Sequence, residues 1–188
     1  MKMENPMQTS HQQKSPYALD IKTIRANARK HVEEGAQTAS YRANANEIIQ
    51  LLNGALATEL VCVLRYKRHY FTACGLAAQS VANEFNVHAQ EELAHADLLA
   101  ARIVQLGGEP DFAPDSLTKR SHADYVPCLS LEEMIHENLV AERIAVDAYR
   151  AMIQHIGDND PTTKRMLESI LAQEEEHADE LADWMKHA

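Results

Sequence analysis

The chain has 188 residues, enough for one domain with a full hydrophobic core. Apolar residues make up 45% and aromatic residues only 5%, a composition that favours closely packed helices over a β-sandwich. The net charge of −10 argues against a general nucleic-acid-binding protein, because phosphate contacts need Lys and Arg.

The N-terminal part of the chain differs from the rest. Residues 1–16 are polar and are predicted to form a flexible tail. Residues 17–40 form an N-terminal extension, in which a short helix is predicted from Tyr17 to Glu34, with Gly35 to end it. This helix could pack across the main domain or contact another subunit. The main domain is predicted over residues 41–188.

Four long amphipathic helices are predicted in the main domain, because apolar residues recur there at helical spacing. Ser130 and Glu133 form a capping-box pattern before the third helix. Asp160 and Pro161 suit the N-cap and the first position of the fourth. The predicted ranges are approximately 44–71, 79–106, 131–156 and 161–188.

Residues 107–130 form a long connection with three Pro residues and no clear period. A loop of this length normally counts against an assignment of elements. It is required, however, where the second and third long helices run parallel, because the chain must then return along the whole bundle. We therefore predict an all-α four-helix bundle with a long crossover.

Six residues that can bind metal lie in the middle of these apolar stripes. In two places a Glu precedes a His by three residues, and such residues project from one face of a helix, one turn apart. A lone Glu stands 33 residues before the Glu of the first pair and 32 before that of the second. This is the ligand set of a di-iron or di-manganese carboxylate site in a four-helix bundle. The six residues are Glu59, Glu92, His95, Glu142, Glu174 and His177.

The four carboxylates are predicted to be buried, since each has apolar residues one turn away. An unpaired buried carboxylate costs several kcal/mol, and four together also repel one another. No Lys or Arg occupies the stripes near these positions, so metal ions are predicted to compensate the charge. Oxygen and nitrogen ligands without thiolate suit Fe or Mn better than structural Zn.

Two Tyr residues are candidates for supporting roles. Tyr66 and Tyr149 each follow a lone Glu by seven residues, so each phenol could orient a ligating carboxylate. We count Tyr66 among the catalytic candidates, since a buried phenol could also supply an electron. For Tyr149, core packing is an equal alternative.

Other acidic and His residues near the stripes receive less weight. His88 either supports the site, lines an iron path or is solvated. Glu133 and His136 share the E-x-x-H spacing but do not lie on the helix face that holds Glu142, so they are predicted to lie at the surface. A solvated helix face is expected for Glu91, Glu175, Glu176 and Glu180.

The sequence indicates a cytoplasmic protein. Cys62, Cys74 and Cys128 are odd in number and form no C-x-x-C pair, which is typical of reduced thiols. The first residues lack the apolar core of a signal peptide. No segment approaches the eighteen or so uncharged residues of a membrane span. The roles of the three Cys residues stay open, although Cys62, one turn from Glu59, is expected to be a small buried core residue.

Over residues 44–188 the chain resembles the bacterioferritin branch of the ferritin superfamily. The resemblance implies an all-α, ferritin-like four-helix bundle with a long crossover between helices 2 and 3, to which this chain adds the predicted extra N-terminal helix. It also implies two iron ions (Fe2+/Fe3+) per subunit, with Mn as an alternative. In the implied site Glu59 and Glu142 are terminal ligands, Glu92 and Glu174 bridge, and His95 and His177 cap one ion each. The segments that carry the resemblance are Leu51-Leu52-Asn53 through Glu59-Leu60-Val61 to Tyr66, Glu92-Leu93-Ala94-His95-Ala96-Asp97, Leu139-Val140-Ala141-Glu142 and Glu174-Glu175-Glu176-His177.

Such proteins oxidise Fe(II) with O₂ or H₂O₂ and store Fe(III) mineral in a hollow shell. The resemblance therefore implies a ferroxidase with a role in iron homeostasis. Leu93 stands where haem-binding bacterioferritins carry Met, so no haem is expected. The short C-terminus and the N-terminal extension resemble Dps-like ferritins, which favours a homo-oligomeric shell of twelve subunits, with twenty-four open.

Two other functions are weighed against this one. A di-metal redox enzyme without storage, such as a rubrerythrin-like peroxidase or a manganese catalase, is the alternative. The chain lacks the paired C-x-x-C motifs of a rubredoxin domain, but a bundle peroxidase without that domain stays open. DNA protection by coating is disfavoured by the charge. The sequence leaves the physiological oxidant open.

Overall fold

A computed structural model describes residues 17–75 and 78–186, and these contain helices and no strand. The predicted all-α class and the four long helices are confirmed. The tail predicted over residues 1–16 lies outside the described residues. The helices are α1 (Ile21–Asn27), α2 (Ala45–Thr72), α3 (Ala78–Gln105), α4 (Leu117–Arg120), α5 (Leu131–Ile156) and α6 (Pro161–Met185).

The predicted caps fix the starts of α5 and α6. The Ser130 hydroxyl accepts a hydrogen bond from the backbone N–H of Glu133 at 3.2 Å, and the Glu133 carboxylate accepts one from the backbone N–H of Ser130. Asp160 accepts a hydrogen bond from the backbone N–H of Thr163 at 2.9 Å, with Pro161 at the first position of α6. Backbone donors that a helix start leaves unpaired are thereby satisfied.

Replacing Ser130 by Ala is expected to lower the free energy of unfolding by about 1 kcal/mol, because one side of this capping box is lost. Urea unfolding of the metal-free protein, followed by circular dichroism, measures the change. Ser130→Thr retains the hydroxyl and serves as the matched control. An equal loss in both variants would show that the hydroxyl is not the stabilising group.

The crossover follows α2 along most of its length. Its residues meet α2 in chain order, so the connection travels from the first turns of α2 to its last. It therefore starts α5 at the far end of the bundle, and α5 runs parallel to α3, as predicted. The short helix α4 within it was not predicted. The hydrogen-bonded pairs are Asn53 with Asp111, Thr58 with His122, Arg65 with Asp124 and His69 with Val126.

The bundle has two apolar clusters with a polar layer between them. One cluster contains Leu52 and Leu99, and the other contains Phe85 and Leu181. The long helices pack as two pairs, α2 with α3 and α5 with α6. Along each of them, the residues of one cluster precede and those of the other follow the middle of the helix. The polar layer therefore lies at mid-height, enclosed from both ends.

The N-terminal extension corrects one prediction. The helix predicted over 17–34 is limited to Ile21–Asn27, and a 3₁₀ turn follows at Val32–Glu34. His31 takes a left-handed conformation with φ 49° between them. No residue of α1 is buried, so its apolar stripe has no surface among the described residues to support a longer helix. Further along, the Gln37 side chain donates a hydrogen bond to the Leu106 carbonyl and ties the extension to the bundle.

The helix α2 is long and apolar enough to cross a membrane by length and composition. Glu59 interrupts its apolar run, so the prediction that no segment approaches eighteen uncharged residues is not contradicted. Half of the apolar window is buried inside the bundle. Glu59 lies in the middle of this helix and is 1% exposed. These features are those of a core helix.

Candidate metal centre

The six candidate residues meet in the polar layer. Each of the four long helices contributes from its middle turns, and none of the six residues is more than 2% exposed. The periodicity that placed them in apolar stripes accounts for this, since a stripe at helical spacing faces the bundle axis. Glu59 comes from α2, Glu92 and His95 from α3, Glu142 from α5, and Glu174 and His177 from α6.

The side chains form two groups that share two carboxylates. One group is Glu59, Glu92, His95 and Glu174, and the other is Glu92, Glu142, Glu174 and His177. Within each group the donor atoms lie within 4.8 Å of one another. Such a spacing is what one ion bound to several ligands requires.

The two shared carboxylates divide their oxygens between the groups. Glu92 directs Oε2 towards His95 Nδ1 and Oε1 towards His177 Nδ1, each at 3.6 Å. Glu174 Oε1 lies 2.9 Å from His95 Nδ1, although the two are not aligned for a hydrogen bond, and its Oε2 lies 3.9 Å from His177 Nδ1. Each shared carboxylate can therefore bind two cations at once.

The donor atoms of the site lack other partners. Ten buried side-chain nitrogen or oxygen atoms have no hydrogen-bond partner among the described residues, and eight of them belong to the six candidate residues. Buried polar atoms without partners are rare and need an explanation. Because the eight atoms converge, two divalent cations fit them.

Two phenols hydrogen-bond to Glu59 and Glu142, the carboxylates that each belong to only one of the two groups. Tyr149 on α5 donates a hydrogen bond to Oε1 of Glu59 on α2, and Tyr66 on α2 donates one to Oε1 of Glu142 on α5. The second oxygen of each carboxylate faces the centre without a partner. The orienting contacts anticipated for both Tyr residues are therefore present.

Both His rings present Nδ1 to the centre and anchor Nε2 elsewhere. His95 Nε2 lies 2.9 Å from Gln173 Oε1, and His177 Nε2 lies 3.0 Å from Glu91 Oε2. These acceptors place the proton on Nε2 and leave the Nδ1 lone pair free for a metal. The sequence did not reveal Gln173, and it predicted a solvated Glu91.

The metal-free centre holds protons in place of cations. Burial favours the neutral form of His177, but the site carboxylates outweigh it and raise its pKa to about 10. The site carboxylates likewise outweigh burial at His95 and raise its pKa. Burial, and then the charge of Glu92, raises the pKa values of Glu59 and Glu174. A metal must displace these protons on binding.

His88 is a correction to the sequence interpretation. It is 1% exposed, with Nδ1 3.2 Å from the Tyr66 hydroxyl and Nε2 3.0 Å from Glu180. The solvated alternative is therefore wrong, and Glu180 is a partner of a buried group. By contrast, Glu133 and His136 are exposed, as predicted.

A buried cation near the site was also missed. Arg65 is 1% exposed, but its guanidinium donates to Asn138, to the Asp124 carbonyl and to the Cys62 sulfur, not to a site carboxylate. It therefore does not replace the metal ions as counter-charge by direct contact. Cys62 lies in an apolar cluster, as expected, and burial raises its pKa, so it remains a thiol.

Replacing Glu91 by Ala is expected to lower divalent-metal affinity by about 10- to 100-fold, because His177 loses the partner that fixes its ring. Calorimetric titration with Co(II) measures the change. Glu84→Ala removes an exposed Glu two turns earlier on α3 and controls for the lost charge. Equal affinities in the two variants would exclude the orienting role.

Comparison with known proteins gives consistent matches. Residues 49–188 match the model of the family described as ferritin-like domain. A nutrient stress-induced DNA-binding protein of Synechococcus is 29% identical over 74% of this chain and 81% of its own. A bacterioferritin of Rhodobacter capsulatus is 26% identical over 71% and 79%. The solved dodecameric thioferritin, the bacterioferritin-related protein from Bacteroides fragilis, is 29% identical, covers 78% and 88%, and superposes with a TM-score of 0.75.

Proposed function

This chain belongs to the ferritin superfamily, which implies iron storage or protection against oxidative damage, and we propose that it is a ferroxidase that stores iron. Its substrates are Fe(II) and either O₂ or H₂O₂. The reaction takes place at the intra-subunit centre of Glu59, Glu92, His95, Glu142, Glu174 and His177.

The division of the Glu92 and Glu174 oxygens between two groups carries this proposal. It supports a site for two ions that share ligands. Each Fe(II) supplies one electron, whereas reduction of O₂ to H₂O₂, or of H₂O₂ to two waters, takes two electrons. A site that holds two Fe(II) can therefore reduce H₂O₂ to water, with two protons, in one encounter.

The surrounding residues prepare the site for this chemistry. The oxygen and nitrogen donors suit iron or manganese. The Tyr66 and Tyr149 hydroxyls orient the terminal carboxylates, so the ligands are positioned before an ion arrives. Burial of all six side chains excludes bulk water, and the protons on His95 and His177 leave as Fe(II) enters.

We also propose that the chain assembles into a cytoplasmic homo-oligomeric shell, of twelve subunits in preference to twenty-four. The likeness to a dodecameric thioferritin supports this number. Exposed apolar side chains on α2 and α3 provide surface for such contacts. They include Leu64, Phe71, Leu93, Leu98 and Val104. The net charge of −10 gives no support to DNA binding.

The test is to add Fe(II) in steps to the purified protein with O₂ or H₂O₂, and to count the iron that stays soluble per chain. We expect many more than two ions per chain, because a shell retains the oxidised product. The rate of Fe(II) oxidation is recorded in the same experiment.

Each outcome of this experiment has a definite meaning. About two ions per chain would indicate a di-metal redox enzyme without storage, such as a rubrerythrin-like peroxidase or, if the purified protein contains Mn, a manganese catalase. No retained iron and no rapid oxidation would overturn the assignment of the six ligands.

A further inference from the structure

Three rings form a column from the metal centre to the surface. His177 and Trp184 lie seven residues apart on the same face of α6, and the His88 ring of α3 lies between them. The centroids of His88 and His177 are 4.2 Å apart with an interplanar angle of 20°. Those of His88 and Trp184 are 6.1 Å apart with an angle of 12°. Trp184 is the only Trp of the chain.

The orientation of the middle ring is fixed from both sides. His88 Nδ1 contacts the Tyr66 hydroxyl, and Nε2 contacts Glu180. Two hydrogen bonds at opposite edges prevent rotation of the ring out of the stack.

The outer end of the column is accessible, whereas the inner end is sealed. Trp184 is partly exposed and lines a surface cavity of about 390 Å³ together with Glu84 and Glu180. The candidate ligands are at most 2% exposed. A reductant in solution can therefore approach the indole without entering the centre. The two carboxylates favour the approach of a cation such as Fe(II).

We propose that Trp184 is a redox-active residue that donates an electron, through the His88 ring, to the metal centre when too little Fe(II) is bound. Electron tunnelling weakens steeply with gaps between groups, so stacked rings offer a better path than saturated side chains. This inference rests on the proposed function, because it requires peroxide reduction at the centre.

The electron balance explains the use of such a residue. Reduction of H₂O₂ to two waters needs two electrons and two protons. A centre with a single Fe(II) supplies one electron, which alone would release a hydroxyl radical and hydroxide. The indole supplies the second electron and becomes a radical cation. A one-electron reductant outside, such as Fe(II), then refills it and becomes Fe(III).

The test loads the protein with one Fe(II) per chain under anaerobic conditions and adds H₂O₂. In the wild-type protein we expect an indole radical in freeze-quenched electron paramagnetic resonance spectra and a permanent loss of Trp184 fluorescence. In His88→Gln, which retains hydrogen-bonding groups but lacks the ring, the fluorescence loss should fall several-fold. In Trp184→Phe, spin-trapped hydroxyl radical should rise several-fold.

The controls separate this inference from the proposed function and from damage by diffusible radicals. Co(II) titration must give the wild-type stoichiometry in both variants, which shows that the centre is formed. Equal fluorescence loss in the wild-type protein and in His88→Gln would overturn the inference. So would intact Trp184 in a wild-type protein that oxidises Fe(II) rapidly. Absence of rapid oxidation in the wild-type protein would instead overturn the proposed function.

Discussion

A Glu174→Gln variant is expected to oxidise Fe(II) more than about 100-fold more slowly than the wild-type protein, while its metal-free form keeps nearly the same melting temperature. The first effect follows from geometry, since Glu174 directs one oxygen to each of the two groups. Removal of residues that merely orient a metal ligand costs about 10- to 100-fold. Loss of a carboxylate shared by both ions should therefore cost more.

The second effect follows from the protonation state. Burial and the charge of Glu92 raise the pKa of Glu174, so the metal-free protein favours its neutral acid. Gln has nearly the same shape and the same charge as that acid. The substitution therefore removes a metal ligand without leaving a new charge or a cavity in the core.

Stopped-flow measurement of Fe(II) oxidation, together with thermal melting of the metal-free protein, checks both effects. Glu176→Gln is the matched control, because it removes an exposed carboxylate two residues away on the same helix. A wild-type oxidation rate in Glu174→Gln would exclude the shared-ligand role. A large drop in its metal-free melting temperature would show that Glu174 is charged there.

The metal-free protein is expected to lose stability as the pH rises from 6.5 towards about 10, the interval between the ordinary and the raised pKa of His177. A group whose pKa is raised by folding binds its proton more tightly in the folded state. Its contribution to stability is complete below 6.5 and is lost as the pH rises through the folded value. The raised pKa values of His95, Glu59 and Glu174 act in the same direction.

Metal-loaded protein is expected to show the opposite trend. Divalent ions bind the deprotonated ligands, so their affinity increases with pH, and a bound ion stabilises the folded state by mass action. The gap between the melting temperatures of Co(II)-loaded and metal-free protein should therefore widen over this interval. One pKa unit corresponds to about 1.4 kcal/mol, so the total effect is on the order of several kcal/mol.

Differential scanning calorimetry of both forms across this pH range measures the gap. His136→Gln removes an exposed His of α5 and should leave the trend unchanged. A gap that stays constant with pH would show that no protons are displaced when metal binds.

Periodicity and caps made much of the architecture predictable. Leu139 and Val146 flank Glu142 at helical spacing, so the sequence alone predicts that Glu142 faces the core and not the solvent. Ser130 and Asp160 predicted two helix starts, because side chains of these types accept hydrogen bonds from the first backbone N–H groups of a helix. The length of residues 107–130 similarly required a return along the bundle.

The missed residues share a physical reason. Glu91 and Glu180 lie beside the bundle-facing stripes, where periodicity predicts a solvent-facing position. Each carboxylate nevertheless hydrogen-bonds to a buried His. Whether a long side chain reaches a residue of the next helix depends on the distance and relative rotation of the two helices. The residue pattern of a single helix carries no information about either. Arg65 is buried because the crossover covers it, and a contact 59 residues away in the chain has no local signature.

The different partners of the two His rings break the symmetry of the centre. The two helix pairs contribute matching residues, a lone Glu from α2 and from α5 and a Glu-x-x-His pair from α3 and from α6. Yet the Nε2–H of His95 faces the neutral amide of Gln173, whereas that of His177 faces the carboxylate of Glu91. A carboxylate partner gives a ring more imidazolate character and makes it the stronger donor. At the proposed centre, His177 would therefore be the stronger of the two imidazole ligands for Fe(III).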